Sequence, residues 1–260
     1  MLDRDVRTYY DRGGERTRLD GTLELLRTKV LLERLLPAPP ASVLDVGGAF
    51  GVYATWLADR GHRVRLVDPV PLHVDTAARE GVDAVVGDAR SLDEPDGGWD
   101  AVLLLGPLYH LLDRADRVAA FAEARRVVRP GGVVLAAAIS RWASTYEALL
   151  TELGTVPGFA DLVRAELATG TRRDSVDLPH GFTNAYFHRP DELPGEVADA
   201  GLRLSDLYAV EGMAHWIPDQ VARLSDPDFR ALVLDLIART EREPATIGAT
   251  SHLLVAARRP

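Results

Sequence analysis

The chain contains no cysteine. Disulfides, thiolate zinc sites and cysteine nucleophiles are therefore excluded. Lysine is almost missing as well: Lys29 is the only one. The formal net charge is −9. That balance disfavours phosphate backbones and anionic lipid, which need clustered Lys and Arg, so neither a nucleic-acid nor a membrane partner is expected. No run approaches the roughly 20 apolar residues of a membrane span. The segment Met1 to Asp11 is charged throughout and does not read as a signal peptide, so a cytoplasmic location is expected. No serine lies in a G-x-S-x-G elbow, which leaves hydrolase chemistry without a visible nucleophile.

What is present reads as an α/β protein. Residues 1–36 read as a helical segment, with Leu23, Leu26, Val30 and Leu35 near one face and Pro37 as the stop. From Ser42 short apolar strands alternate with helices: strands at Ser42–Val46, Val64–Val67, Asp83–Val86, Trp99–Leu105 and Val133–Ile139, with a turn at Arg129-Pro130-Gly131-Gly132. Buried strands alternating with helices imply a mainly parallel sheet covered on both faces. Residues 141–189 interrupt the alternation as a cap insertion. Residues 190–260 resume it, with strands at Leu202–Val210 and His252–Arg258 and a second insertion at about 212–247. The expected organisation is an N-terminal helical lid (1–36), a core (37–140), the cap (141–189) and the rest of the core sheet (190–260).

The strongest local signal is Val43-Leu44-Asp45-Val46-Gly47-Gly48-Ala49-Phe50-Gly51, a strand running into a glycine turn and a helix. Glycine lets such a turn reach positive φ and a ligand touch its backbone, while the next helix offers free N–H groups. The dinucleotide fingerprint would want glycine at 47, 49 and 52 and finds Ala49 and Val52 at the last two. The spacing that fits is G-x-(G/A)-x-G. Alanine at 49 is acceptable there if its φ is negative and the ligand leaves room for one methyl. Asp68, before Pro69, closes the second strand, where a carboxylate can accept from both hydroxyls of a ribose. Gly87-Asp88-Ala89 closes the third. Asp68 and Asp88 could equally be helix caps or turn formers.

These motifs resemble the class I S-adenosylmethionine (SAM) methyltransferases, with Asp45 as the acidic residue before the turn. The likeness covers residues 40–140 well and 190–258 loosely, and a branch of bacterial small-molecule methyltransferases is the nearest in style. It implies a Rossmann-like sheet with an antiparallel last strand and SAM as cofactor. It implies a cofactor set of Asp45, Gly47, Gly48, Gly51, Asp68, Pro69, Asp88, Ala89, Leu105 and Gly106, with Asp88 accepting from the adenine amino group. Tyr10 and Arg18 are expected to fold over the methionine end, Arg18 gripping its carboxylate. His110, in Gly106-Pro107-Leu108-Tyr109-His110, is the candidate base, with Tyr109 positioning it.

Trp142, Tyr146, His180, Tyr186 and His215 are candidates to line the acceptor pocket. No metal is expected, because His180, His188 and Asp191 match no standard ligand spacing. The expected activity is methyl transfer to oxygen or nitrogen of a small acceptor, for instance a secondary metabolite. A SAM-assisted rearrangement and a non-catalytic SAM-binding protein are the other readings, and the oligomeric state stays open.

Overall fold

The computed structural model describes Val6, Tyr10, residues 19–173 and residues 182–260. Seven strands form one sheet: β1 (Ser42–Val46), β2 (Arg63–Asp68), β3 (Asp83–Val86), β4 (Trp99–Leu104), β5 (Val128–Ile139), β8 (Arg203–Ala209) and β9 (His252–Arg258). A two-stranded hairpin, β6 (Thr171–Arg172) with β7 (Ala185–Tyr186), lies apart. The strand order is β3-β2-β1-β4-β5-β9-β8. The β1 to β5 pairings are parallel, whereas β9 runs antiparallel to both β5 and β8, as expected for the last strand.

Alternation along the strands builds two apolar layers, because successive side chains point to opposite faces. Leu44 and Val46 of β1 pack with Phe121 and Ala124 of α4 (Arg114–Val127) and with Leu193 and Val197 of α7 (Glu192–Asp199). Val43 faces the other way, with Leu31 and Leu32 of α1 (Leu23–Leu35) and Leu57 of α2 (Val52–Ala58). Helix α3 (Pro71–Arg79) backs β2 and β3. The 141–189 segment supplies α5 (Ala143–Leu150), α6 (Phe159–Thr169) and the hairpin. The later insertion supplies α8 (Gln220–Leu224), α9 (Pro227–Thr240) and α10 (Pro244–Ile247). Leu224, Val233 and Ile237 of that insertion pack on Leu23 of α1. Arg27 of α1, fully buried, is neutralised by Glu241 at 2.5 Å.

Two expectations change. The helix that runs up to Pro37 begins at Leu23, where the Thr22 side chain accepts from the Leu25 N–H as an N-cap, and Val6 and Tyr10 ahead of it are also helical. The stretch Arg129 to Gly132 is the start of β5 and not a free turn. A register shift opposite Trp99 and Ala101 and a φ of 73° at Gly131 make it a bulge. It is tied down from the far end of the chain, with the Gly131 N–H donating to Arg259 O at 2.9 Å.

Candidate functional site

The carboxyl ends of β1, β2, β3 and β4 surround a cavity of about 340 Å³. Its floor is the glycine turn. Gly47 and Gly51 hold φ of 73° and 82°. Ala49 holds φ 48°, in the left-handed region, not the negative φ that the sequence reading asked for. An L-residue there costs roughly 1–2 kcal/mol. The carboxylate of Asp68 explains why it persists: its Oδ2 accepts from the Ala49 N–H at 3.0 Å and so pins the turn to the end of β2. The turn is also pressed against β4. A Cβ on Gly106 would meet Gly47 O at 2.3 Å, and one on Gly48 would meet Asp45 Oδ2 at 2.4 Å.

Asp68 is buried but lines the cavity. Its Oδ1 accepts from the Val70 N–H and faces His73 Nδ1, both at 2.9 Å. Oδ2 takes only the Ala49 bond among the described residues and has room for another donor. The His73 ring in turn packs edge-on against Tyr10 and at a tilt against Phe50. Asp88 lines the same cavity with its carboxylate on Arg90, at 2.6 Å, and Arg90 bridges on to Asp116. The hydrogen bond from the Arg90 guanidinium holds Asp88 down at about 2.

Asp45 behaves differently. It lies fully buried beneath the turn, outside the cavity wall, and among the described residues neither carboxylate oxygen has a hydrogen-bond partner. Burial first, and the nearby charge of Asp68 second, push it up to about 7.

Of the expected cofactor residues, Tyr10, Gly47, Gly48, Asp68, Pro69, Asp88, Ala89, Leu105 and Gly106 line the cavity. Asp45 and Gly51 do not, and Arg18 lies outside the described residues. Tyr109 and His110 also line it. His110 Nδ1 faces the Asn184 carbonyl oxygen at 3.4 Å, and its Nε2 lies 2.6 Å from the Tyr10 hydroxyl. A carbonyl only accepts, so Nδ1 donates and Nε2 accepts from Tyr10.

A second cavity of about 250 Å³ adjoins the first, and both are lined by Glu24, Tyr53, Leu105 and Tyr109. Its remaining wall includes Glu147, Phe182, Phe187, His215 and His252. Of the described residues expected to meet an acceptor, only His215 is found there. Tyr146 packs on His215 and Trp216 outside the wall. Tyr186 lies over the Arg117 guanidinium, and Trp142 lies beside Arg189. His180 falls outside the described residues. The sequence reading missed His73, Arg90, Glu24 and His252. His73 had a signal, five residues beyond Asp68 in the first turn of α3.

Residues 43–132 match the model of a methyltransferase domain family. An uncharacterized methyltransferase of Mycobacterium tuberculosis is 35% identical over 160 residues, 61% of this chain and 60% of that protein. The ubiquinone biosynthesis O-methyltransferase of Methylocella silvestris is 31% identical over 136 residues, 49% of this chain and 52% of that one. The matches thus span about half to three fifths of these relatives. A solved structure of a SAM-dependent methyltransferase from Methanosarcina mazei superposes with a TM-score of 0.62 at 14% identity, covering 88% of this chain and 96% of the other.

Proposed function

We propose that the chain is a class I SAM-dependent methyltransferase that methylates a small-molecule acceptor held in the second cavity. One observation carries this reading: two cavities at the carboxyl edge of the sheet share a wall at Leu105 and Tyr109. The first suits the cofactor. Asp68 Oδ2 offers a lone pair where the ribose of a nucleotide lies in such sheets, and the glycine turn presents backbone to a ligand. When bound, SAM supplies an electrophilic methyl group on a sulfonium. The chain's own residues have to hold an acceptor in line with that group and exclude water.

In this reading Asp68 holds the ribose and Asp88 the adenine amino group. Tyr10 closes the cavity, its hydroxyl on His110 and its ring against His73. Because both ring nitrogens of His110 are engaged, we assign it to fastening Tyr10 and not to taking the acceptor's proton directly. The net charge of −9 favours a small molecule over nucleic acid.

Calorimetry with S-adenosylhomocysteine tests the cofactor half. Binding in the micromolar range is expected, with none for nicotinamide nucleotides. Asp68→Ala should weaken it by roughly 1.5–3 kcal/mol, the scale of a charge-assisted hydrogen bond. Unchanged affinity would remove Asp68 from the site. Product mass spectrometry tests the rest: a gain of one methyl group on a small acceptor, with S-adenosylhomocysteine released, is required.

A further inference from the structure

Methyl transfer to a hydroxyl leaves a proton to be removed, and on the reading above His110 is spent on Tyr10. Among the described histidines that line the two cavities, His73 and His252 each hold a ring nitrogen against a carboxylate, of Asp68 and of Glu211. His215 differs. It stands in the wall of the second cavity, and among the described residues neither of its ring nitrogens makes a hydrogen bond or an ion pair. Its ring is fixed by packing instead. The short turn Gly212–Trp216 carries it, and Tyr146 of α5 packs against it with ring centroids 5.9 Å apart. Tyr146 is itself anchored, its hydroxyl donating to the Gly248 carbonyl oxygen at 3.3 Å and its ring edge-on to Trp216. A histidine oriented by ring contact keeps both nitrogens for a ligand.

We propose that the second cavity takes a phenol and that His215 removes its hydroxyl proton as the methyl group is transferred. The proposal rests on the methyl-transfer reading above. Two features point to an aromatic hydroxyl. The first is the wall, where the rings of Tyr53, Tyr109, Phe182 and Phe187 suit a flat aromatic acceptor. The second is the strength of the base. Burial holds His215 below its ordinary range; the charge of Glu211 works against that, and His252 adds to it. Such an imidazole is neutral near pH 7 and only weakly basic. An alkylammonium ion and a phenol both ionise near about pH 10. The ammonium nitrogen has no lone pair until its proton has gone completely. A phenol oxygen keeps lone pairs while still protonated, so proton loss and attack on the methyl carbon can overlap. A weak base therefore serves the phenol and not the ammonium ion.

The step balances. The phenol O–H breaks, and its proton passes to a ring nitrogen of His215. The oxygen forms the bond to the methyl carbon as the methyl–sulfur electron pair leaves with sulfur. The products are an aryl methyl ether, a neutral thioether and an imidazolium, which returns its proton to water. The charged groups that act on His215 are Glu211 and His252. Glu24, Glu147 and Arg172 also stand in that wall, Arg172 paired with Glu166.

The test uses the full chain saturated with S-adenosylhomocysteine. Phenol and toluene are titrated into it by calorimetry, and ¹⁵N-histidine spectra are recorded. Toluene matches the shape of phenol and lacks the hydroxyl. Phenol should bind at least about fivefold more tightly, the scale of one net hydrogen bond. His215→Leu should erase that preference, while toluene and S-adenosylhomocysteine bind as before. Phenol should shift a ring nitrogen of His215 and none of His188, which is sealed at 0% exposure. With SAM in place of S-adenosylhomocysteine, phenol should yield anisole, and His215→Gln should slow that by about 10²–10⁴. The loss should shrink with 4-nitrophenol in alkaline buffer, because that acceptor is ionised before it binds. A structural role would slow both acceptors alike. Equal slowing, phenol binding no tighter than toluene, absence of anisole, or methylation of benzylamine and not of phenol overturns the proposal. Failure to bind S-adenosylhomocysteine at all would instead defeat the methyl-transfer reading.

Discussion

The two cavities at the carboxyl edge of the sheet are built by different means. The first is built around backbone that cannot move, the glycine turn with Gly106 pressed on Gly47, ringed by side chains at the ends of β2, β3 and β4. The second is made of side chains drawn from α1, α5, the β6–β7 region, the 3₁₀ turn Gly212–Trp216 and the start of β9. A backbone cradle tolerates little change and serves one invariant ligand. A wall of side chains from five separate segments can be rewritten residue by residue. On the proposed reading the comparison teaches that cofactor identity and acceptor identity are separable in this fold, and it can be broken at either cavity.

The largest expected effect is on the backbone side. Gly106→Ala places a methyl group 2.3 Å from the Gly47 carbonyl oxygen, and neither strand end can yield without moving the turn. A loss of roughly 3 kcal/mol in stability is expected, the upper end of ordinary overpacking. S-adenosylhomocysteine affinity should fall more than about tenfold with it. Phe182→Leu, in the second cavity, should leave that affinity unchanged. Thermal melts and calorimetry on the two variants check the contrast. Equal losses would mean that the cavities are one mechanical unit.

Next in size is Asp45, beneath the turn. Its carboxyl sits at about 7 in the fold, against 3.8 ordinarily, because burial and then Asp68 oppose its charge. The folded protein therefore holds this proton more tightly than the unfolded chain does. The resulting stabilisation is whole below the unfolded value and is lost as the pH rises through about 7. Between pH 5 and pH 8 the loss should be about 2.5 kcal/mol. Asp88 and Asp100, both depressed to about 2, change stability only in stronger acid and do not overlap this window. Urea unfolding of wild type and Asp45→Asn across that range checks it. The same slope in both proteins would show Asp45 ionised where it lies.

The backbone cavity was also the legible one. A strand, a glycine turn and a carboxylate at each following strand end are local patterns, and Asp68, Asp88 and Gly106 fall where their spacing puts them. Local patterns fail where a contact spans the chain. His110 looks like a base from its loop. We reassign it because Tyr10, 100 residues away, sits on Nε2. Glu211 and His252 are 41 residues apart and meet only because β8 pairs with β9 across an insertion. The aromatic residues Trp142, Tyr146 and Tyr186 carry no mark that tells cap packing from an acceptor wall. Ala49 was misjudged for a related reason: its positive φ is paid for by Asp68, on another strand.

The smallest effect belongs to Asp88, and it separates cofactor contact from scaffold. The Asp88–Arg90 pair is partly exposed, the Asp88 side chain at 34%. Solvent screening should limit the stability cost of Asp88→Ala to under about 1 kcal/mol. Any loss of S-adenosylhomocysteine affinity then needs a second cause, since Arg90 is left to Asp116 and the loop can stay in place. If Asp88 accepts from the adenine amino group, the loss should be roughly 1 kcal/mol, that of one hydrogen bond. It should vanish with S-inosylhomocysteine, in which a carbonyl oxygen replaces that amino group. Wild type and variant against the two ligands form a double-mutant cycle. Equal losses for both ligands would assign Asp88 to shaping the loop through Arg90.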